Sequence, residues 1–344
     1  MMHRQAQSDI AAAPVRYAWS SITEGTRNYG NYFIEWSLKQ LLSLPEADVV
    51  FDSFKPLGQS QIERINQTCQ FVINPGCTSL QPGENAAFEA FERIKVPRPC
   101  FGGCLWEYGH QTKFTQALRT VGPVRFAMRA KRGKTPKLTI ARQMSRPIGS
   151  RDPYTHEMLQ AGGIESILTG CPTLLSPQPV REWKPVEGRR LAVSLSRYAL
   201  PMQLRLIRRL RKSWNIRILI HEDYEKYAVQ WLDNVEVVEF ESVEQFFACY
   251  RDSDAVLTGR LHGALPAIRY GRPVVFFGNA GDTRFSLLRY LGLPIRPLSL
   301  ELAELGTFPE ITRPDPAVYQ QVHTLARNWV SYCRTYDIPC NLEI

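Results

Sequence analysis

The constraint that decides most about this chain is an alternation of short apolar runs with helix-length segments through its second half. Residues 191–195 form one apolar run, followed by a helical stretch over about 202–214. Residues 216–220 are β-branched, a polar helix-like segment runs to about 232, and 235–240 is strand-like again. Ser242 is placed to cap a helix that reaches Tyr250. Residues 254–258, 261–270 and 273–277 then read as strand, helix and strand. Parallel strands need a crossover of about a dozen residues or more, usually a helix. The rhythm therefore predicts βαβ units and a parallel sheet covered on both faces.

The first half repeats the pattern less cleanly. Strands are expected at 15–20, 48–51, 70–74 and 99–103, with a helix at 32–42. A chain of 344 residues exceeds the ~250–300 at which one core stops growing, so two domains are expected. Pro172, Pro177, Pro179 and Pro185 crowd the middle and resist both helix and central strand, which places a linker there. The expected fold is α/β, with two facing Rossmann-like domains over 14–178 and 186–313. A C-terminal segment, 314–344, carries a long helix expected to pack back across both.

Several classes are disfavoured at this stage. Hydrophobic residues at 44% and charged residues at 22% are ordinary globular proportions, not those of a disordered chain. No apolar run reaches the length of a membrane span, and the first residues lack the apolar core of a signal peptide, so a cytoplasmic location is expected. The eight cysteines (69, 77, 100, 104, 171, 249, 333 and 340) are too scattered for a disulfide framework. Cys100 and Cys104 have no second pair at zinc-like spacing, so reduced thiols and no metal are expected.

The net charge of +9 is concentrated in one segment. Arg119, Arg125, Arg129, Lys131, Arg132, Lys134, Lys137, Arg142, Arg146 and Arg151 include no acidic neighbour between them. Taking these ten from 42 basic residues leaves 32 against 33 acidic ones, so this segment holds the whole excess. Such a patch suits nucleic acid, an anionic membrane or a phosphorylated small molecule, or is a plain solvated face.

In doubly wound sheets the chemistry sits in loops at the carboxyl ends of strands. Three such loops stand out. In Thr258-Gly-Arg-Leu-His-Gly263 a strand gives way to a helix, whose first amides favour an anion. There Arg260 can grip phosphate or carboxylate and His262 can exchange a proton near neutral pH. The bland alternatives are a surface ion pair for Arg260 and a core or capping role for His262. In Gly149-Ser-Arg-Asp-Pro-Tyr154, Arg151 follows a short strand and Asp152 can cap the helix begun by Pro153. Arg151 can equally do no more than pair with Asp152. In Thr26-Arg-Asn-Tyr-Gly-Asn31, Gly30 permits close approach of the backbone, and Asn28 and Asn31 can bond hydroxyls. No P-loop, H-E-x-x-H or G-x-S-x-G motif is present, which removes the usual support for kinase-like, zinc-protease and serine-hydrolase readings.

In their order these loops resemble the polysaccharide pyruvyl transferase family over roughly residues 25–293. The resemblance rests on Asn28-Tyr-Gly-Asn31, Ser150-Arg-Asp-Pro-Tyr154, His156-Glu-Met-Leu-Gln-Ala-Gly-Gly163, Thr169-Gly-Cys-Pro-Thr-Leu-Leu175, Gly259-Arg-Leu-His-Gly263 and Tyr270-Gly-Arg-Pro-Val-Val275. It departs where many relatives carry Gly-Asp and this chain carries Gly30-Asn31. The resemblance implies an architecture similar to GT-B glycosyltransferases. It also implies transfer of pyruvate from phosphoenolpyruvate to two sugar hydroxyls as a cyclic ketal. By motif match, Arg260, the Leu261 backbone and His262 would contact phosphoenolpyruvate, with Arg151 as second arginine and Arg260 and His262 catalytic. Asn28, Gly30 and Asn31 would lie on the acceptor side, which is expected to be a sugar or lipid-linked saccharide. The resemblance implies no cofactor beyond phosphoenolpyruvate as co-substrate and no nucleic-acid partner. The segment 119–151 would face the anionic acceptor or the inner face of the membrane that carries it. Two other classes stay open: a glycosyltransferase of the same architecture with a nucleotide-sugar donor, and a non-catalytic carbohydrate- or anion-binding module.

Overall fold

Short runs of β-branched and apolar residues form strands here because both their faces are covered, the condition a parallel sheet imposes. The chain's computed structural model describes residues 15–24, 26, 28–76, 80, 86–105, 138–177, 189–196, 200–297 and 315–342. The first sheet contains β1 (Tyr17–Ser21), β2 (Val49–Asp52), β3 (Phe71–Pro75), β4 (Cys100–Gly103), β5 (Ile148–Ser150) and β6 (Ser166–Leu168), all parallel, in the order β2-β1-β3-β4-β5-β6. The second contains β7 (Arg190–Ser194), β8 (Asn215–Leu219), β9 (Glu236–Val238), β10 (Ala255–Thr258), β11 (Val274–Phe277) and β12 (Ile295–Arg296), also parallel, in the order β12-β11-β10-β7-β8-β9. β1, β3 and β10 are buried along their whole length.

The connecting helices are set by local signals. Around the first sheet run α1 (Tyr29–Leu41), α2 (Gln59–Thr68), α3 (Thr139–Gln143) and α4 (Pro153–Ala161). Around the second run α5 (Leu200–Leu210), α6 (Asp223–Val229), α7 (Val243–Arg251), α8 (Leu261–Arg269) and α9 (Ser286–Tyr290). Asp152 caps α4 by accepting from Thr155 N at 3.0 Å, and Ser242 caps α7 by accepting from Gln245 N at 3.1 Å. Both caps were legible as residue types. α1 starts three residues before its expected start, because Asn28 accepts from Gly30 N at 3.1 Å and opens the helix there.

A final helix, α10 (Pro316–Thr335), returns to the first sheet. The buried Tyr332 hydroxyl accepts from Cys100 N at 2.8 Å and donates to Cys100 O at 2.9 Å. Tyr336 donates to Pro147 O and Asn328 to Leu168 O, so the helix is bonded to three segments of one sheet. The chain end then pairs with the end of α1, Asn341 N donating to Leu41 O at 2.8 Å.

The proline-dense middle is not all linker. Pro172–Leu174 forms a buried 3-10 turn, and Cys171, Leu174 and Leu175 join one apolar cluster with Ile34 and Leu38 of α1 and Leu261 and Leu265 of α8. Pro172 at a helix start lacks no useful N–H, so proline here builds the domain junction instead of interrupting it. Pro179 and Pro185 lie outside the described residues. So do Cys77 and Arg119, Arg125, Arg129, Lys131, Arg132, Lys134 and Lys137 of the basic segment; Arg142 and Arg146 are exposed, and Arg151 is buried. Cys69, Cys100, Cys104, Cys171, Cys249 and Cys333 are buried free thiols, and Cys340 is a free thiol half-buried. Among the described residues no group of metal-binding side chains is found, and no helix is long and apolar enough to cross a membrane.

Tyr332→Phe leaves the Cys100 amide and carbonyl without the hydroxyl they share. We expect a loss of about 1–3 kcal/mol in unfolding free energy, read by urea denaturation with an unchanged slope.

Candidate active site at the domain junction

Where neighbouring strands send their connections to opposite faces, their carboxyl ends leave a crevice for ligands. In the second sheet that point lies between β7 and β10, and in the first between β1 and β3. Arg260 and His262 follow β10, and Gly30 lies in the first turn of the helix after β1. The two crevices face each other.

Arg260 stands at the N-cap of α8 and is tied to the segments that follow β7 and β8. Its Nε donates to Leu195 O after β7. Nη1 donates to Glu222 Oε1 at 2.6 Å, and Nη2 to Glu225 Oε1 at 2.5 Å and to the Tyr224 hydroxyl at 3.0 Å. Burial opposes the guanidinium charge, but the Glu225 and Glu222 carboxylates outweigh it and hold its pKa above the ordinary value. Burial pushes Glu225 up, with Arg260 and the amides of His221 and Glu222 working against it. Tyr224 is raised to about 12, chiefly by burial. Behind this group lies His221, fully buried, with Nε2 2.9 Å from the Tyr250 hydroxyl. Burial first, then the nearby Arg260 and His262, press its pKa well below the ordinary value, so it stays neutral.

His262 is the second residue of α8. Gly263 after it lets the helix sit against the sheet: a Cβ there would lie 2.5 Å from Thr258 Oγ1 and 2.8 Å from Ser194 Oγ. The His262 ring reaches the other domain with both nitrogens. Nε2 lies 3.9 Å from Cys171 Sγ, and Nδ1 faces Gly30, where an added Cβ would come within 2.5 Å of it. Only glycine allows that approach.

The junction is fixed around this contact by α1. Tyr29 stacks on Phe240 at 4.1 Å between centroids, Trp36 Nε1 donates to Glu244 at 2.5 Å, and Ser37 Oγ accepts from Arg269 at 3.1 Å. The Arg269 guanidinium also lies over the rings of Phe247 and Trp36, at 5.3 and 5.5 Å. Burial lowers its pKa to about 10, against the pull of Tyr270.

The other expected residues have mixed placements. Asn28 is engaged as the α1 cap, and Asn31 Nδ2 donates to Ile22 O at 3.0 Å, so both amides shape the β1–α1 loop. The Leu261 side chain packs in the junction cluster, while its amide opens α8. Arg151 is buried, with Nε donating to Asp152 Oδ2 at 2.8 Å, the local pairing the sequence also allowed. Asp152 Oδ1 accepts from Ser286 Oγ at 2.8 Å, another bond between the domains. Ser150 O accepts from Thr169 N and Gly170 N, so Arg151 and Cys171 leave adjacent strand ends.

Sequence reasoning missed His221, Glu222, Tyr224 and Glu225. They form the run His-Glu-Asp-Tyr-Glu directly after β8, so the strand-end rule that found Arg260 applied to them as well. Cys171 stood within a quoted motif without a role.

The model of the polysaccharide pyruvyl transferase family matches residues 132–281. That span carries the Arg151, Cys171 and Arg260–His262 loops and excludes Gly30. No curated protein sequence matches the chain. Among solved structures, a putative UDP-N-acetylglucosamine 2-epimerase from Listeria monocytogenes superposes with a TM-score of 0.54 at 14% identity, over 96% of this chain and 100% of that one. The S. aureus MnaA–UDP structure gives 0.54 at 13% identity, covering 92% of each chain. The UDP-GlcNAc 2-epimerase from Methanocaldococcus jannaschii gives 0.51 at 9%, over 93% of this chain and 100% of that one. At such identities the likeness concerns the fold: two facing Rossmann-like domains, similar to the GT-B architecture, as the sequence led us to expect.

Two measurements follow from this geometry. Alanine is the better helix former, so on local propensity Gly30→Ala would add roughly 0.5–1 kcal/mol of stability. The contact with His262 predicts the opposite sign, a loss of about 1–3 kcal/mol by chemical denaturation. For His221, the folded pKa is depressed, so its contribution is complete above the unfolded value near 6.5 and is lost as pH falls below it. Against a His221→Asn variant, the wild type should lose about 1.4 kcal/mol of relative stability per pH unit below that point. Parallel stability–pH curves would refute a buried neutral histidine.

Proposed function

We propose that the chain transfers pyruvate from phosphoenolpyruvate to two hydroxyls of a sugar, in a cell-surface polysaccharide or its lipid-linked precursor, releasing phosphate. The observation that carries the reading is the meeting of His262, two residues after Arg260, with the Gly30 and Cys171 loops of the other domain, within a chain whose residues 132–281 match the pyruvyl transferase model.

The chemistry asks for two things of the protein. Phosphoenolpyruvate is a compact anion, and its leaving phosphate needs a fixed cation; in this reading the first amides of α8 and the Arg260 guanidinium are the N–H donors that engage it at one strand end. Protonation at the methylene carbon makes the adjacent carbon electrophilic. One sugar hydroxyl then attacks that carbon, losing its proton to a base. The second hydroxyl displaces phosphate at the same carbon and closes the ring, its proton leaving with the phosphate. His262, with ring nitrogens at the junction between the domains, is the proton donor in this reading. Arg151, buried beside the Cys171 loop, is the second cation on the donor, and the first domain holds the acceptor. The reading places the enzyme in the cytoplasm, meeting a lipid-linked acceptor at the inner face of the membrane through the basic segment 119–151.

Incubation with phosphoenolpyruvate and a panel of sugar conjugates should release phosphate and add a ketal, visible by mass spectrometry. Phosphoenolpyruvate should raise the melting temperature, and nucleotide sugars should not. His262→Ala should cut turnover by ~10²–10⁴-fold, the contribution typical of a positioned acid. Near-normal turnover in that variant would remove His262 from the chemistry.

A further inference from the structure

The two carboxylates on Arg260 are not equivalent. Glu225 is fully buried, and its second oxygen accepts from His221 N at 2.7 Å and Glu222 N at 3.3 Å. It belongs to the frame that aims the guanidinium. Glu222 is about one-third exposed, at 32%, and its Oε1 reaches Arg260 Nη1 at 2.6 Å. The Arg260 side chain is itself 17% exposed, so this bond lies at the solvent edge of the group, where exchanging one anion for another carries little desolvation penalty.

The charges make the consequence definite. With both carboxylates ionised, one guanidinium faces two negative groups, and an arriving anion meets no net positive charge from the three. It gains Arg260 only by taking the place of one carboxylate, and Glu222 is the one whose release leaves the buried frame intact. A single negative charge of carboxylate density exchanges with Glu222 at no electrostatic advantage. A phosphoryl dianion gains from the exchange, because its charge-assisted bonds to the guanidinium exceed those it replaces.

We propose that Glu222 masks the anion site: its carboxylate occupies Arg260 Nη1 until a doubly charged phosphoryl group displaces it. This rests on the reading of Arg260 as the donor grip. It makes Glu222 a masking residue, returning to Arg260 as the phosphate product leaves.

Titration calorimetry of wild type and Glu222→Gln with inorganic phosphate, phosphoenolpyruvate and pyruvate tests it. The variant should bind phosphate and phosphoenolpyruvate about tenfold tighter, the scale of one charge-assisted bond no longer in competition. Pyruvate should gain no more than phosphate does, because releasing Glu222 from Arg260 costs the same whichever anion takes its place. Glu225→Gln should weaken all three, because the guanidinium loses its buried anchor. Glu222→Asp, one methylene too short to reach Nη1, serves as the second variant should Glu222→Gln fold poorly. Unchanged phosphate affinity in the variant, with or without a lower melting temperature, overturns the proposal and leaves Glu222 a structural partner of Arg260. So does the absence of binding of every anion to both proteins. Tighter phosphate binding without any binding of phosphoenolpyruvate keeps the masking role and sinks the pyruvyl-donor reading. Equal phosphoenolpyruvate affinity in both proteins does the reverse.

Discussion

The missing side chain of Gly30 is the constraint on which the site depends. Because the α1 backbone can lie against the His262 ring, the first turn of a helix from one sheet reaches the first turn of a helix from the other. The remaining bonds of the junction hold that approach in register. Tyr29 stacks on Phe240, Trp36 bonds Glu244, and Arg269 is received by rings and the Ser37 hydroxyl. Each joins α1 to the second domain. A wider residue at 30 would force the two helix starts apart, and these aromatic and polar contacts would have to shift together.

The electrostatics of the junction follow from its burial. Arg260 is held as a cation by two carboxylates, and this same environment keeps His221 neutral behind it. A single group of residues in the loop after β8, on α6 and at the start of α8 thus fixes the direction of one charge and suppresses another. Arg269, by contrast, is stabilised by ring faces and a hydroxyl, an arrangement suited to a structural cation. The molecule therefore separates a cation that frames the interface from one that lies at the crevice, although the two are only nine residues apart on α8.

Much of the fold was readable because its determinants are local. Hydrophobic runs near the right length marked the strands, Ser242 and Asp152 marked helix starts, and the strand–helix rhythm implied parallel sheets. The placement of Arg260 and His262 at a strand end was readable because polar residues just after a strand have a known place in such sheets. The same rule applied to the residues after β8, yet the acidic run there looked like charge balance. Nothing local says that Glu222 and Glu225 turn towards an arginine some 35 residues further on. Asn28 and Asn31 have a local part that residue type alone did not show: one amide atom of each serves the loop's own cap and closure.

The sequence by itself determined that this chain makes two parallel α/β units, and which strand ends carry ionisable groups, since period and residue type act within a few residues. Only the tertiary structure decided which of those strand ends meet. That outcome depends on a helix from one unit fitting the other, on a glycine with no side chain to obstruct it, and on Pro172, buried in the turn that packs the junction. Such contacts join residues hundreds of positions apart. Their free energy comes from shape and burial, which exist only once both sheets have formed.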